Sequence, residues 1–108
     1  MGDAVQVTTT VESAEAAERI GRVLLDERLA ACIQIQGPIT SIYRWQGAVE
    51  QAAEWYCHVK TMRVHTDAVI ARIRALHSYD TPEVIAVPLT AVLPAYAAWI
   101  AAQTTDAT

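Results

Sequence analysis

The sequence predicts an α+β sandwich, and three features of the residue pattern carry this prediction. Segments with a two-residue apolar period and segments with a helical period follow the order strand, helix, strand, strand, helix, strand, helix. The first six segments match the split β-α-β, or ferredoxin-like, arrangement of four strands and two helices. The second and third strands are long and adjacent, which predicts a long central hairpin, and the seventh segment adds a C-terminal helix.

The first strand and helix are predicted from β-branched residues and from a capping residue. Residues 4–10 are rich in valine and threonine and alternate in polarity, which is typical of a strand. Ser13 is a helix N-cap, and the helix that it begins ends near Arg28. The predicted buried face of this helix consists of Ala17, Ile20, Gly21 and Leu24.

The next two segments predict the hairpin. Residues 30–45 alternate in polarity around Gly37-Pro38, where we expect a bend or a bulge. Gln46-Gly47 forms the turn, and residues 49–64 return as the second long strand.

The second half of the chain repeats the helix and strand pattern at shorter length. A helix is predicted over 66–77, followed by a loop over 77–82 and a short, wholly apolar strand over 84–87. The last helix spans 94–103 and begins with a proline, which suits a first helical turn. Residues 104–108 are expected to form a polar tail that frays.

Length and composition indicate one domain over residues 1–108, with a core from about 4 to 103. The net charge of −4 offers no basic stripe, so we expect no nucleic-acid partner and no membrane partner. The sequence shows no leader pattern and no apolar run of roughly 18 to 20 residues, which favours a cytoplasmic location. Cys32 and Cys57 are interpreted as reduced, buried thiols.

The length of the hairpin predicts a homo-oligomer. A strand of about 15 residues at roughly 3.3 Å each spans around 50 Å, whereas a compact chain of this size has a radius of gyration near 13 Å. Neighbouring subunits would cover an apolar outer part that consists of Ile39, Ile42, Tyr43, Trp45, Trp55 and Tyr56. Packing of these side chains across one hairpin is the alternative.

Metal binding is the sharpest chemical hypothesis. His77 is followed by Asp80 and Glu83 in a constrained loop, a set of nitrogen and oxygen donors that Cu(II) accepts. Cys32 is a further possible ligand, with packing in the core as its alternative. The alternative role of His77 is to interact with the C-terminal end of the preceding helix. Cys57 and His58 are consecutive on a strand, so they point to opposite faces and cannot hold one ion.

Catalytic machinery is not expected. His77, Ser78 and Asp80 lack the nucleophile elbow and the glycine-rich loop of a hydrolase triad. Glu50 and Glu54 would lie about 13 Å apart on a regular strand, which is too far for paired-carboxylate hydrolysis. The chain is therefore predicted not to be an enzyme.

Four blocks of the sequence resemble the CutA divalent-cation-tolerance family. They are Glu27-Arg28-Leu29-Ala30-Ala31-Cys32, Ile42-Tyr43-Arg44-Trp45-Gln46-Gly47, Lys60-Thr61 and His77-Ser78-Tyr79-Asp80-Thr81-Pro82-Glu83. The resemblance implies a tight trimer similar to PII-type signalling proteins, with a role in tolerance to copper and other divalent metals. Some members carry further metal-binding side chains where this chain has Thr8, Ile73 and Leu76.

Three functions remain open from the sequence. The first is a trimeric, metal-responsive protein that binds Cu(II) or another divalent cation directly and needs no cofactor to fold. The second is a PII-like sensor that binds a small anionic metabolite between subunits through Arg44, Lys60 and Tyr79. The third is a scaffold for a protein partner.

Overall fold

The computed structural model describes residues 3–105, so residues 1–2 and 106–108 of the predicted domain lie outside the described part. The elements, in chain order, are β1 Ala4–Val11, α1 Ala14–Asp26, β2 Cys32–Trp45, β3 Ala48–Met62, a 3₁₀ helix Arg63–His65, α2 Thr66–Leu76, β4 Val84–Pro88 and α3 Pro94–Gln103. This order confirms the predicted α+β, split β-α-β arrangement.

The four strands form one antiparallel sheet with the order β2-β3-β1-β4. Helices α1 and α2 cover one face of this sheet, where the main core contains Val7, Val59, Leu24 and Ile73. Helix α3 covers one end of the opposite face through Ile100, which packs with Ala4 and Ala31. The rest of that opposite face, called here the open face, has no helix over it in the described chain.

Helix α1 begins where the sequence predicts. The Ser13 hydroxyl oxygen accepts a hydrogen bond from the backbone N–H of Ala16 at 3.0 Å, which satisfies one of the free donors of the first turn. The helix lies close to β2, because a Cβ atom at Gly21 would lie 2.6 Å from the side chain of Ile33. Glycine at this position therefore sets the spacing between helix and sheet.

The central hairpin has a root and an arm. In the root, residues 32–36 of β2 pair with 56–60 of β3, and in the arm residues 39–45 pair with 48–54. The register shifts at the predicted bulge between Gln36 and Ile39. Gln46 and Gly47 both have positive φ angles, of 48° and 83°, as a tight two-residue hairpin turn requires. The longest dimension of the molecule is 47 Å.

Some predicted details differ from the structure: β2 begins at Cys32 rather than at residue 30, and the end of β3 and the start of the tail also differ. Strand β3 ends at Met62 rather than at residue 64, because residues 63–65 turn into the 3₁₀ helix that leads into α2. Thr104 does not fray: it is buried, and its hydroxyl donates to the carbonyl oxygen of Ile100 at 2.9 Å. Thr105 is exposed, and its hydroxyl donates to the carbonyl oxygen of Ala102 at 3.0 Å; residues 106–108 of the predicted tail lie outside the described residues.

Candidate functional site

A cleft of about 660 Å³ lies between the hairpin arm and the loop that follows α2. Strand β2 of the arm contributes residues 39–43 and Trp45, strand β3 contributes Glu54 of the arm and Tyr56 of the root, and the loop contributes residues around Tyr79. Its lining side chains are Thr10, Ile39, Thr40, Ser41, Ile42, Tyr43, Trp45, Glu54, Tyr56, Tyr79, Asp80, Thr81 and Glu83. Three carboxylates and four aromatic rings are therefore present, and none of the described lining residues is basic.

Glu54 and Tyr79 join the two walls of the cleft. The Tyr79 hydroxyl donates a hydrogen bond to Oε2 of Glu54 at 2.9 Å, although the residues are far apart in sequence. Glu54 is only 9% exposed. Burial raises the pKa of Tyr79 well above its usual value, and the hydrogen bond to Glu54 and the nearby acidic charges raise it further. The phenol therefore stays protonated at neutral pH and remains a donor to the carboxylate.

His77 positions the loop, and both of its ring nitrogens are in use. Nδ1 accepts a hydrogen bond from the backbone N–H of Tyr79 at 3.2 Å, and Nε2 lies 2.9 Å from the carbonyl oxygen of Thr10. Because a carbonyl oxygen only accepts, Nε2 carries the proton. The ring also packs against Tyr79, with centroids 4.7 Å apart. His77 thus ties the loop to β1 and holds Tyr79 over the cleft.

The structure places the other predicted metal ligands in two separate regions. Asp80 and Glu83 line the cleft, and both are exposed. Cys32 begins β2 and lies beside Gln6 of β1 across the sheet, because both residues pair with Lys60 of β3. His77 instead contacts β1 at Thr10, four residues further along that strand. At a rise of roughly 3.3 Å per residue, the positions of Gln6 and Thr10 along β1 are about 13 Å apart, so Cys32 and His77 lie in different parts of the sheet. Among residues 3–105, no three His, Cys, Asp or Glu side chains come together as a metal-ligand set.

The prediction of two buried thiols is correct for Cys57 and wrong for Cys32. Cys57 lies in the main core, and burial raises its pKa to about 11. Cys32 is half-buried, because it belongs to an edge strand and its side chain lies on the open face, beside Tyr96 of α3. Both are free thiols.

The basic residues proposed as anion contacts lie outside the cleft lining. Lys60 lies on the open face, where its ammonium group donates to Oε1 of Gln34 at 2.7 Å. Arg44 is exposed on the arm, opposite Val49. Of the three predicted anion contacts, the structure places only Tyr79 in the cleft.

A polar network around His58 occupies the centre of the open face. Its Nδ1 lies 3.0 Å from the hydroxyl of Thr8 and 3.3 Å from the side-chain nitrogen of Gln6, and its Nε2 lies 3.3 Å from Oε1 of Gln36. Burial lowers the pKa of His58, and the Lys60 charge lowers it further. Thr8 is one of the three positions where some family members carry a metal-binding side chain, and in this chain its hydroxyl lies within hydrogen-bond distance of His58. The other two, Ile73 and Leu76, pack in or against the main core.

Sequence reasoning missed the Glu54 and Tyr79 pair. The available signal was a carboxylate next to Trp55 and Tyr56 in a strand, a position where an acidic side chain needs a partner. Nothing in the spacing indicated that Tyr79 supplies the partner.

The fold and the cleft define an α+β protein of ferredoxin-like topology with an acidic, aromatic cleft along its hairpin. The family model of the CutA1 divalent ion tolerance protein matches residues 5–103. The chain belongs to this family. No helix among residues 3–105 is both long and apolar enough to cross a membrane.

Individual relatives agree in sequence and in structure. The divalent-cation tolerance protein CutA of Thermus thermophilus is 42% identical over 94 residues, which are 87% of this chain and 91% of that protein. A chloroplastic CutA 1 protein of rice is 38% identical over 89% of this chain, which spans about half (54%) of that relative. The crystal structure of CutA from Xylella fastidiosa has a TM-score of 0.93 at 42% identity and covers 95% of this chain and 99% of its own.

Proposed function

We propose that this protein is a non-enzymatic homotrimer of divalent-cation tolerance, copper included, that binds the cation directly at the mouth of the cleft. The observation that carries the proposal is the negative charge of the cleft lining. Glu54, Asp80 and Glu83 line the cleft, and no basic residue does so among the described ones. Carboxylate oxygens are ligands for hard and borderline divalent cations. The same negative charge opposes the binding of an anionic metabolite.

Asp80 and Glu83 are the ligands that we propose, since both are exposed at the cleft and available to an ion. His77 is assigned a positioning role instead, because a metal at either ring nitrogen would displace the hydrogen bond to Tyr79 or to Thr10. Cys32 is left out, because it lies at another level of the sheet.

The incomplete ligand set and the bare arm support a neighbouring subunit, and the resemblance to the CutA family implies that the assembly is a trimer. Two carboxylates are fewer than the four or more ligands that a tightly held divalent ion takes. A neighbouring subunit that packs against the arm would bring further donors to the cleft. Exposed apolar residues on the arm, among them Ile42, Tyr43, Trp45 and Val49, favour such a neighbour. The two free thiols favour the reducing cytoplasm as the location.

The test is isothermal titration of the reduced, tag-free protein with Cu(II) and with Zn(II), with the mass in solution measured on the same sample. We expect three chains per particle and about one ion per chain, in line with the ligand set of one cleft per subunit. Loss of a single outer-shell partner of a metal site costs about 10- to 100-fold in affinity. The double substitution Asp80→Asn with Glu83→Gln should cost at least as much.

Glu15→Gln is the matched control, because Glu15 is an exposed carboxylate on α1, outside the cleft lining. Absence of heat from a clean trimer, or binding that survives the double substitution, would overturn direct binding at this cleft. Binding of an anionic metabolite that is lost in Lys60→Ala would instead support the sensor hypothesis and contradict the proposal.

A further inference from the structure

The junction between the root and the arm is formed by residues 37–38 of β2 and by Trp55 of β3. The register of the hairpin sets these two residues of β2 opposite the single residue Trp55, which is the arrangement of a bulge. A bulge bends the strand that carries it, so the direction of the arm is decided at this junction. Trp55 also pairs with Val11, the last residue of β1. Beyond it, the described chain continues the hairpin as two strands alone, and a two-stranded ribbon needs an anchor to be stable.

Trp55 contacts both sides of the junction. The sequence groups it with side chains that a neighbouring subunit would cover, but its indole is partly buried and packs against the main core of its own chain. It also lies directly on the backbone of β2: a Cβ atom at Gly37 would be 2.3 Å from Cδ1 and 2.6 Å from Cγ of the indole. Gly37 has no left-handed φ angle. The approach of the ring, rather than the backbone conformation, therefore favours glycine at this position.

We propose that Trp55 is a positioning residue for the arm: its indole, held by the core, fixes the bulge and so fixes the direction of the arm within one chain. The arm strand over residues 39–45 is about 23 Å long at roughly 3.3 Å per residue. A tilt of about 10°, within the ordinary spread of twist between paired strands, would move its tip by about 4 Å. A fixed arm holds its wall of the cleft in place and loses little conformational freedom when a neighbouring subunit packs against it. This role does not require the proposed metal site.

The experiment measures the direction of the arm as the distance between two spin labels, one on α1 at Arg19→Cys and one on the arm at Gln51→Cys. Both positions are exposed, and neither lines the cleft. Cys32→Ser removes the half-buried thiol, whereas Cys57 is fully buried with a pKa of about 11 and does not react with the label. An excess of unlabelled chains in each sample limits the measured distances to pairs within one chain.

Gly37→Ala is the decisive variant, because its methyl group would overlap the indole and displace it from the bulge. We expect one narrow distance distribution for the labelled protein, and a shift or a broadening of about 4 Å in Gly37→Ala, as a tilt of about 10° gives. Gly47→Ala is the matched control: a Cβ atom at this tip glycine would meet nothing within 4 Å, although its φ angle is 83°. It should strain the turn and leave the distribution unchanged. An unchanged distribution in Gly37→Ala would overturn the proposal, since the arm would then be oriented by its neighbour.

Trp55→Leu tests the contact from its other side and separates positioning from packing. It keeps an apolar side chain against the core and leaves room at Gly37, so its label distribution should broaden as in Gly37→Ala. We expect Gly37→Ala to lower the equilibrium constant of folding by at least about fivefold in the unmodified protein and by less than about twofold in Trp55→Leu, since the effects of residues in contact do not add. Equal effects in the two backgrounds would contradict the proposed contact. Circular dichroism and the mass in solution show whether each variant retains its fold and assembly.

Discussion

The root and the arm of the central hairpin have the same backbone pairing and opposite surroundings. In the root, Cys57 and Val59 are fully buried under α1 and α2. In the arm, the apolar side chains of Ile42, Trp45 and Val49 are exposed, because no helix of the described chain lies over them. Apolar residues on a strand are thus insufficient for burial, since burial also needs a second layer. The root obtains that layer from its own chain, whereas the described chain provides none for the arm.

The largest expected effect tests the root. Leu24 is 0% exposed in the main core, so Leu24→Ala should lower the free energy of unfolding by about 3 kcal/mol, the usual cost of a large cavity. Leu25 is the matched control, because the next residue on the same helix is 41% exposed. We expect Leu25→Ala to cost less than about 1 kcal/mol in the same urea titration. Equal losses at the two leucines would contradict the assignment of the core.

The second effect tests the arm through assembly rather than through folding. Val49 is 64% exposed on the arm, and Val64 is 83% exposed in the 3₁₀ helix. If the proposed oligomer covers Val49, a carboxylate there is costly to desolvate, so Val49→Asp should raise the dissociation constant of that oligomer by at least about tenfold. Val64→Asp should leave it unchanged. Light scattering over a dilution series measures both, and an unaltered mass for Val49→Asp would place the interface elsewhere.

The smallest effect lies at the root's open face, where His58 sits in its polar network. Burial and the Lys60 charge lower the pKa of His58 below 6.5, so just below pH 6.5 the unfolded chain binds more protons than the folded one. Stability should therefore rise with pH up to about 6.5 and lose this contribution as the pH falls through the lowered pKa. Besides Lys60, the groups around the ring are the neutral Gln6, Thr8, Gln36 and Tyr56.

Urea midpoints at about pH 5 and about pH 7.5 measure this contribution. His58→Gln should show a smaller difference between the two midpoints than the unmodified protein, because glutamine does not titrate. His65→Gln, which removes a histidine in the 3₁₀ helix outside the network, serves as the control. An unchanged difference in His58→Gln would show that other groups govern the acid side of the stability curve.

Much of the fold was predictable because each element is specified by its own neighbours along the chain. The Ser13 cap, the two-residue turn at Gln46-Gly47 and the bulge after Gln36 all form where the local pattern places them. The end of β3 was not predictable in the same way. Met62, Arg63 and Val64 continue the strand-like composition, and the chain turns there because α2 must begin against the core.

The candidate site was less predictable than the fold. The sequence grouped His77, Asp80 and Glu83 because they are close in one loop, and two of these three line the cleft. Tyr79 and Thr81 belong to the same loop, but the other lining side chains come from β1, β2 and β3, and adjacency along the chain cannot bring these to the loop. The partial exposure of Cys32 was also not predictable from the local sequence. It depends on which face of an edge strand the helices cover.

The sequence by itself determined the order of the elements, the length of the hairpin and the family to which the chain is similar. These properties depend on short-range periodicity and on blocks of neighbouring residues. Only the tertiary structure decided that Tyr79 bonds Glu54, 25 positions earlier, and that His77 bonds Thr10, 67 positions earlier. The physical reason is that such contacts depend on how the sheet and its helices pack, and this packing brings together side chains whose spacing along the chain has no period.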